Sequence, residues 1–210
     1  MSNVVGFGGP KGAGKDTLAY AMAARSGAVV WGMSDPLEEA LRAVNPWVPV
    51  QRPLFLGPGK GSMSVGLYRA ATVLDLAGYS QAKKVPEIRR LLQVIGTDFV
   101  RDLVDEDAWV NMMRRRIRAH AKEHPGQDVY VTGIRFGNEL DMIQSEGGVA
   151  IYVKRPGLAR DLNSNHASER SLPESEFDFT LVNDGTLEDL DKSAAPLLAR
   201  MSHPAATLRP

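Results

Sequence analysis

The sequence predicts an α/β fold built on a parallel sheet, and three features lead there. The chain opens with the apolar run Val4-Val5-Gly6-Phe7-Gly8, which stops at a glycine-rich loop and passes into a helical pattern. A β-rich run at 128–134 (DVYVTGI) is separated from another at 148–153 (GVAIYV) by one short helical stretch, NELDMIQSE, a spacing that implies parallel pairing. The size and balance agree, since 210 residues with 43% hydrophobic and 24% charged describe an ordinary globular domain rather than a disordered or fibrous chain.

After the first strand, residues 15–25 (KDTLAYAMAAR) place apolar side chains at helical spacing among strong helix formers, and Gly27 suits the stop. Residues 28–31 read as a second strand. Ser34-Asp35-Pro36 then sets a capping residue and a proline ahead of the helical pattern LEEALRAV, which should end near Asn45-Pro46. Residues 46–66 hold four prolines and four glycines, so regular structure is not expected there. Helical periodicity returns over 67–76, 86–103 and 106–123, the last with Trp109, Met112, Met113 and Ile117 on one side.

Residues 155–176 are polar and carry Arg155, Arg160, His166, Glu169 and Arg170 without an apolar period, the pattern of a surface flap. A last strand is expected at 177–182, and Asn183-Asp184-Gly185-Thr186 turns into a C-terminal helix ending near Met201, with a frayed tail beyond.

The 25 Lys and Arg equal the 25 Asp and Glu, so no long-range field favours nucleic acid or an anionic membrane, and any anion site must be local. Cysteine is absent, which excludes a disulfide framework, a thiolate nucleophile and Cys-ligated zinc, and points to a reducing cytoplasm. No start resembling a signal peptide and no apolar run of about 18 residues is found, so no membrane association is expected. The run Arg114, Arg115, Arg116 and Arg118 is flanked by acids on an amphipathic helix and reads as a solvated face. His120, His124 and His203 lack metal-ligand spacing and read as surface residues.

The strongest chemical signal is Gly9-Pro10-Lys11-Gly12-Ala13-Gly14-Lys15-Asp16-Thr17, placed between a strand and a helix as a phosphate-binding P-loop requires. The glycines let backbone N–H groups converge on a phosphate, the helix N-terminus adds partial positive charge, and Lys15 can reach the β and γ oxygens. A tight turn alone would explain Gly12 and Gly14. It would not explain Lys15 in a first helical turn, where the helix dipole disfavours a cation. The general pattern asks for Ser or Thr directly after the lysine, and here Asp16 intervenes before Thr17. Asp16 can hold Mg²⁺ through water or accept a substrate hydroxyl, or simply suit the first turn of a helix; Thr17 can offer its hydroxyl to metal or phosphate. Arg135 follows the strand 128–134 at its carboxyl end, where ligands of doubly wound sheets bind, and its guanidinium can clamp phosphate. The flap residues could neutralise a transferring phosphoryl group.

On GPKGAGKDT at 9–17, SDPLEEAL at 34–41, LLQVIGTDFVR at 91–101 with Trp109 beyond it, GIRFGNEL at 133–140, HASE at 166–169 and VNDGTLEDL at 182–190, the chain resembles the deoxynucleoside monophosphate kinases of tailed bacteriophages. These are small P-loop kinases related to adenylate and dephospho-CoA kinases. The resemblance implies a three-layer α/β P-loop kinase fold, with a parallel sheet of about five strands, helices on both faces and a lid. One domain would span 1–210, with a substrate-binding insertion around 35–85 and the lid around 155–176.

The same resemblance implies ATP and Mg²⁺ as cofactors and a deoxynucleoside 5′-monophosphate as acceptor. Gly12, Ala13, Gly14, Lys15, Asp16 and Thr17 would hold the ATP phosphates, with Asp16 and Thr17 at the metal. Asp35 would border the monophosphate pocket, Arg69 is a candidate ligand of the substrate phosphate, and Arg135 would bind phosphate. Arg155 and Arg170 would be lid arginines, while Asn183, Gly185 and Thr186 would line the adenine. Family members often carry an acid where Gly133 stands, which leaves Asp16 and Glu169 as the carboxylates for metal or substrate. Partners would be small nucleotides in the cytoplasm, the host's if the chain is phage-encoded, with no nucleic acid or membrane and dimerisation left open. Two rivals stand beside this reading. One is a small-metabolite kinase of dephospho-CoA or phosphomevalonate type. The other is a nucleotide-dependent binding module, for which Asp75-Leu76-Ala77-Gly78 offers a DxxG string but no guanine motif follows, and the arginine-bearing flap favours transfer.

Overall fold

Strand β1 (Val4–Gly8) is buried along its whole length, because it lies between two parallel neighbours and carries helices on both faces. The computed structural model describes residues 3–51, 65–158 and 172–201. Chain order continues with α1 (Lys15–Ser26), β2 (Val29–Gly32), α2 (Asp35–Val44), β3 (Trp47–Gln51), β4 (Val65–Arg69), α3 (Ala70–Ala77), α4 (Tyr79–Ala82) and α5 (Pro86–Gln93). A π-helical stretch (Val94–Val104) leads to α6 (Ala108–Glu123), β5 (Val129–Ile134), α7 (Gly137–Ser145), β6 (Val149–Lys154), β7 (Phe179–Val182) and α8 (Leu187–Met201). The chain divides into two compact units, Met1–Met33 with Val110–Pro210, and Ser34–Trp109.

The first unit holds a five-stranded sheet in the order β2-β5-β1-β6-β7, every pair parallel. Alternation along β5 sorts the two cores, since successive strand side chains point to opposite faces. Tyr130 joins Phe7, Leu18, Met22, Ile151, Leu190 and Leu197 on the side of α1 and α8. Val129 and Val131 join Met113, Ile117, Leu140 and Ile143 on the side of α6 and α7. The result is the three-layer arrangement expected, with the carboxyl ends of β1 and β5 opening onto the glycine-rich loop and Arg135.

The second unit is built on Leu41, Val48, Val50, Val73, Leu74, Ile88 and Leu92, all buried. Here the structure corrects the expectation of irregular chain over 46–66 at its two ends, residues 52–64 lying outside the described residues: β3 and β4 pair antiparallel, Trp47 opposite Arg69 and Gln51 opposite Val65. Val48 and Val50 are buried while Trp47, Pro49 and Gln51 are exposed, so the period-2 signal is present in WVPVQ. Proline is tolerated because each strand of a two-stranded sheet is an edge. Residues 67–69, expected as helix, complete β4, and α3 begins at Ala70. The helix expected over 86–103 changes to π-helical form at Val94, and the Trp109 indole N–H donates to the Gly96 carbonyl at 2.8 Å. The expected insertion, 35–85, falls inside this unit.

The basic run of α6, expected as a solvated face, has several of its charges paired. Arg118 and Arg114 both meet Glu146, at 2.8 and 3.4 Å, and the Arg116 guanidinium lies 4.5 Å over the Trp31 ring. His120 is a correction: it is half-buried, edge-on to Trp31 and 4.5 Å from the His124 ring, because helical spacing turns it toward β2. His203 lies outside the described residues.

Candidate active site

The loop between β1 and α1 takes its shape from glycines that no other residue could replace cheaply. Gly9 has φ 117°, and a Cβ there would stand 2.2 Å from the Val153 carbonyl oxygen, so backbone passes directly against backbone. Gly14 has φ 98° and caps α1 without a side-chain hydrogen bond. The first regular helical bond runs from the Leu18 N–H to the Gly14 carbonyl at 2.9 Å, so the amides of Lys15, Asp16 and Thr17 precede the α1 ladder. Three orphan donors and the positive end of a helix dipole make this an anion site by construction.

A cleft of about 240 Å³ opens at this helix end. Gly12, Gly14, Lys15, Asp16 and Thr17 form one wall, and Arg155 and Asn183 approach from the ends of β6 and β7. Leu187 and Leu190, at the start of α8, supply the apolar part. The Lys15 ammonium is half-buried and donates to the Pro10 carbonyl at 2.7 Å. Its pKa is pushed from 10.5 down to about 8, chiefly by burial; Asp16 opposes that shift and the positive charge of Arg135 adds to it. Lys15 and Arg135 are therefore electrostatic neighbours.

Asn183, a sequence candidate for the adenine pocket, lines the cleft and is also tied to the loop. It is buried, its backbone N–H donates to the Lys154 carbonyl at 2.7 Å, and its side-chain amide donates to the Ala13 carbonyl at 2.8 Å. It braces the P-loop. Gly185 lines a small hollow of about 40 Å³ together with Asn183, Asp184 and Asp189, and Thr186 is bonded to the last of these. Thr186 and Asp189 cap α8 reciprocally: the Thr186 N–H and hydroxyl both donate to the Asp189 carboxylate, at 2.9 and 2.7 Å, and the Asp189 N–H donates back to the hydroxyl. These bonds hold the Asp189 carboxyl below its usual range.

Of the remaining predicted residues, Ala13 is buried beneath the loop, and Arg135 sits just past β5 with its backbone N–H on Glu139, at 2.7 Å. Asp35 starts α2 and Arg69 ends β4, both in the Ser34–Trp109 unit. Arg69 donates to the Asn45 carbonyl at 3.0 Å and covers the Trp47 ring at 4.4 Å. Arg160, His166, Glu169 and Arg170 lie outside the described residues. The described ends of the flap are joined by an ion pair, Lys154 to Glu174 at 3.0 Å. Sequence reasoning missed Glu139, although an acid at the third position of a helix following Arg-Phe-Gly is a readable capping signal.

A family model for deoxynucleotide monophosphate kinase matches residues 60–194. A protein of Acanthamoeba polyphaga mimivirus, named as a candidate deoxynucleotide monophosphate kinase, is 28% identical over 201 residues, covering 89% of this chain and 91% of that protein. The deoxynucleotide monophosphate kinase of Enterobacteria phage T4 is 28% identical over 155 residues, covering 73% of this chain and 61% of its own length. That of Escherichia phage RB69 is 34% identical over 106 residues, covering 49% and 41%. The chain thus spans less than two thirds of both phage relatives. Among solved structures, the dephospho-CoA kinase from Campylobacter jejuni aligns over 96% of this chain and 98% of its own, with a TM-score of 0.49 and 13% identity.

Proposed function

The chain belongs to the deoxynucleotide monophosphate kinase family, and on that premise we propose that it moves the γ-phosphoryl group of ATP to a deoxynucleoside 5′-monophosphate with the residues of the P-loop cleft. The observation that carries this is a cleft in which Lys15 and Arg155 stand beside uncapped helix amides, with Arg135 close enough for its charge to act on Lys15, in a chain whose formal net charge is zero.

Phosphoryl transfer passes through a loose transition state, so the protein's work is positioning and charge neutralisation rather than covalent chemistry. The amides at the start of α1 would hold the β-phosphate, and Lys15 would leave the Pro10 carbonyl for the β and γ oxygens. An arriving phosphate favours the charged amine against its burial, so Lys15 binds as a full cation. Arg135 and Arg155 would face the transferring group from the ends of β5 and β6, and Arg170 would join them from the flap. Leu187 and Leu190, with Asn183, Gly185 and Thr186, would border the adenine.

Asp16 and Thr17 fit a Mg²⁺ ion, since a carboxylate and a hydroxyl stand together at the cleft and both are oxygen donors. Among the described residues no group of three or more His, Cys, Asp or Glu could hold a metal, so phosphate oxygens and water would complete the shell. Bound there, the ion would neutralise charge shared by the β- and γ-phosphates. We assign the monophosphate to the Ser34–Trp109 unit, with Asp35 and Arg69 as its contacts, and keep Glu169 as a further substrate-binding candidate. No helix among the described residues is long and apolar enough to cross a membrane.

The test is ADP formation with Mg²⁺ across deoxynucleoside monophosphates, ribonucleoside monophosphates, dephospho-CoA and phosphomevalonate. Turnover confined to the nucleotides supports the reading, whereas turnover on dephospho-CoA or phosphomevalonate alone overturns the acceptor and leaves the P-loop chemistry standing.

A further inference from the structure

Glu139 is 7% exposed, which is unusual for a carboxylate unless its charge is compensated. Backbone supplies part of that compensation: one oxygen, Oε2, accepts from the Arg135 N–H at 2.7 Å and from the Phe136 N–H at 3.2 Å. Glu139 lies in the first turn of α7, where the helix dipole also favours an anion. These bonds fall at the point where β5 stops being a regular strand. Gly133, at φ 83°, sits in a bulge, since Phe7 pairs with Thr132 but the next residue, Gly8, pairs with Ile134. A bulge next to a site re-aims the side chains that follow it, and here the first one beyond the strand is Arg135.

We propose that Glu139 is a positioning residue for Arg135: its buried carboxylate fixes the backbone that carries the guanidinium. The charge of that guanidinium already acts on Lys15 of the P-loop. The proposal rests on the reading of Arg135 as a phosphate-binding group. The bulge breaks the strand ladder before Arg135 and α7 begins only at Gly137, so residues 135 and 136 belong to neither element. Without the carboxylate, two amides at the carboxyl end of the sheet lose this acceptor, and the backbone that carries the arginine is less firmly fixed. Misplacement of about 1 Å in such a group lowers turnover by about 100-fold.

The experiment is a double-mutant cycle on the full chain, measuring kcat and KM for ATP and a deoxynucleoside monophosphate. Glu139→Ala, which removes the acceptor of both amides, should lower kcat about 10- to 100-fold, while Glu139→Gln, which keeps an acceptor oxygen, should stay closer to the wild type. Arg135→Ala should lower it about 100-fold or more. In the Arg135→Ala background, Glu139→Ala should change kcat by less than about twofold, because the group it aims is gone. Independent losses that multiply in the double variant overturn the proposal and leave Glu139 a structural cap. An unchanged rate for Arg135→Ala overturns the reading of Arg135, and the proposal with it. Should Glu139→Ala fail to fold, Glu139→Asp, which keeps the charge and withdraws it by one methylene, enters the same cycle with the same two outcomes.

Discussion

The side-chain amide of Asn183 donates a 2.8 Å hydrogen bond to the carbonyl of Ala13, joining residues 170 apart in sequence at the base of the P-loop. The bond is buried, and it makes the end of β7 a support for the loop that receives phosphate. A Cβ at Gly14 would come within 2.7 Å of the same amide nitrogen, so loop and brace are fitted to one another.

Replacing Asn183 with Ala should therefore cost about 1 to 3 kcal/mol of stability, since a buried carbonyl loses its partner. It should also weaken ATP binding more than binding of the monophosphate. Chemical denaturation and separate titrations with the two nucleotides check both.

ATP affinity should depend on pH through Lys15. Burial lowers the amine to about 8, so the free cleft holds a neutral lysine above that pH while bound phosphate restores the charge. Binding should then take up a proton at pH 9 and little at pH 7, and affinity should fall as pH rises past 8. Calorimetry in buffers of different ionisation enthalpy measures the uptake. The same group makes the unliganded fold more stable as pH rises from 8 toward 10.5, because over that window the unfolded chain binds the extra proton.

Two glycines with positive φ should respond differently to alanine. At Gly9 the new Cβ would meet the Val153 backbone at 2.2 Å, and backbone cannot yield as a side chain can. At Gly147, φ 74°, nothing lies within 4 Å, so only the left-handed conformation is penalised, by about 1 kcal/mol. Thermal melts should show a small loss for Gly147→Ala and a loss several times larger for Gly9→Ala.

Glu146→Ala should lower stability by about 1 kcal/mol, as Arg114 and Arg118 lose their shared partner, and leave kcat unchanged. A change in kcat at constant stability would give the basic face of α6 a part in the reaction.

The P-loop was legible because its chemistry is contiguous: strand, glycines, lysine and helix follow within fifteen residues. The sheet was legible for a related reason, since strands buried on both faces leave unbroken apolar runs. What stayed hidden depends on partners distant in sequence or on backbone form. Nothing in Asn183 announces Ala13, and no period distinguishes the π-helical turns of Val94–Val104 from α-helix. The β3–β4 pair was concealed by Pro49, whose weight as a breaker outran the alternation of Val48 and Val50. Glu139 lay within reach, as a capping acid four residues after a strand-end arginine.

The central claim is that the P-loop cleft transfers phosphoryl with Lys15 as its principal cation. The most direct measurement follows γ-labelled ATP in the presence of Mg²⁺ and a deoxynucleoside monophosphate, for the wild-type chain and for Lys15→Ala. The account predicts that the label enters the deoxynucleoside diphosphate in equal amount to the ADP formed. The rate should fall about 100-fold or more in Lys15→Ala, whose melting temperature stays close to that of the wild type. Label released only as free phosphate, or transfer by Lys15→Ala at the wild-type rate, would contradict it.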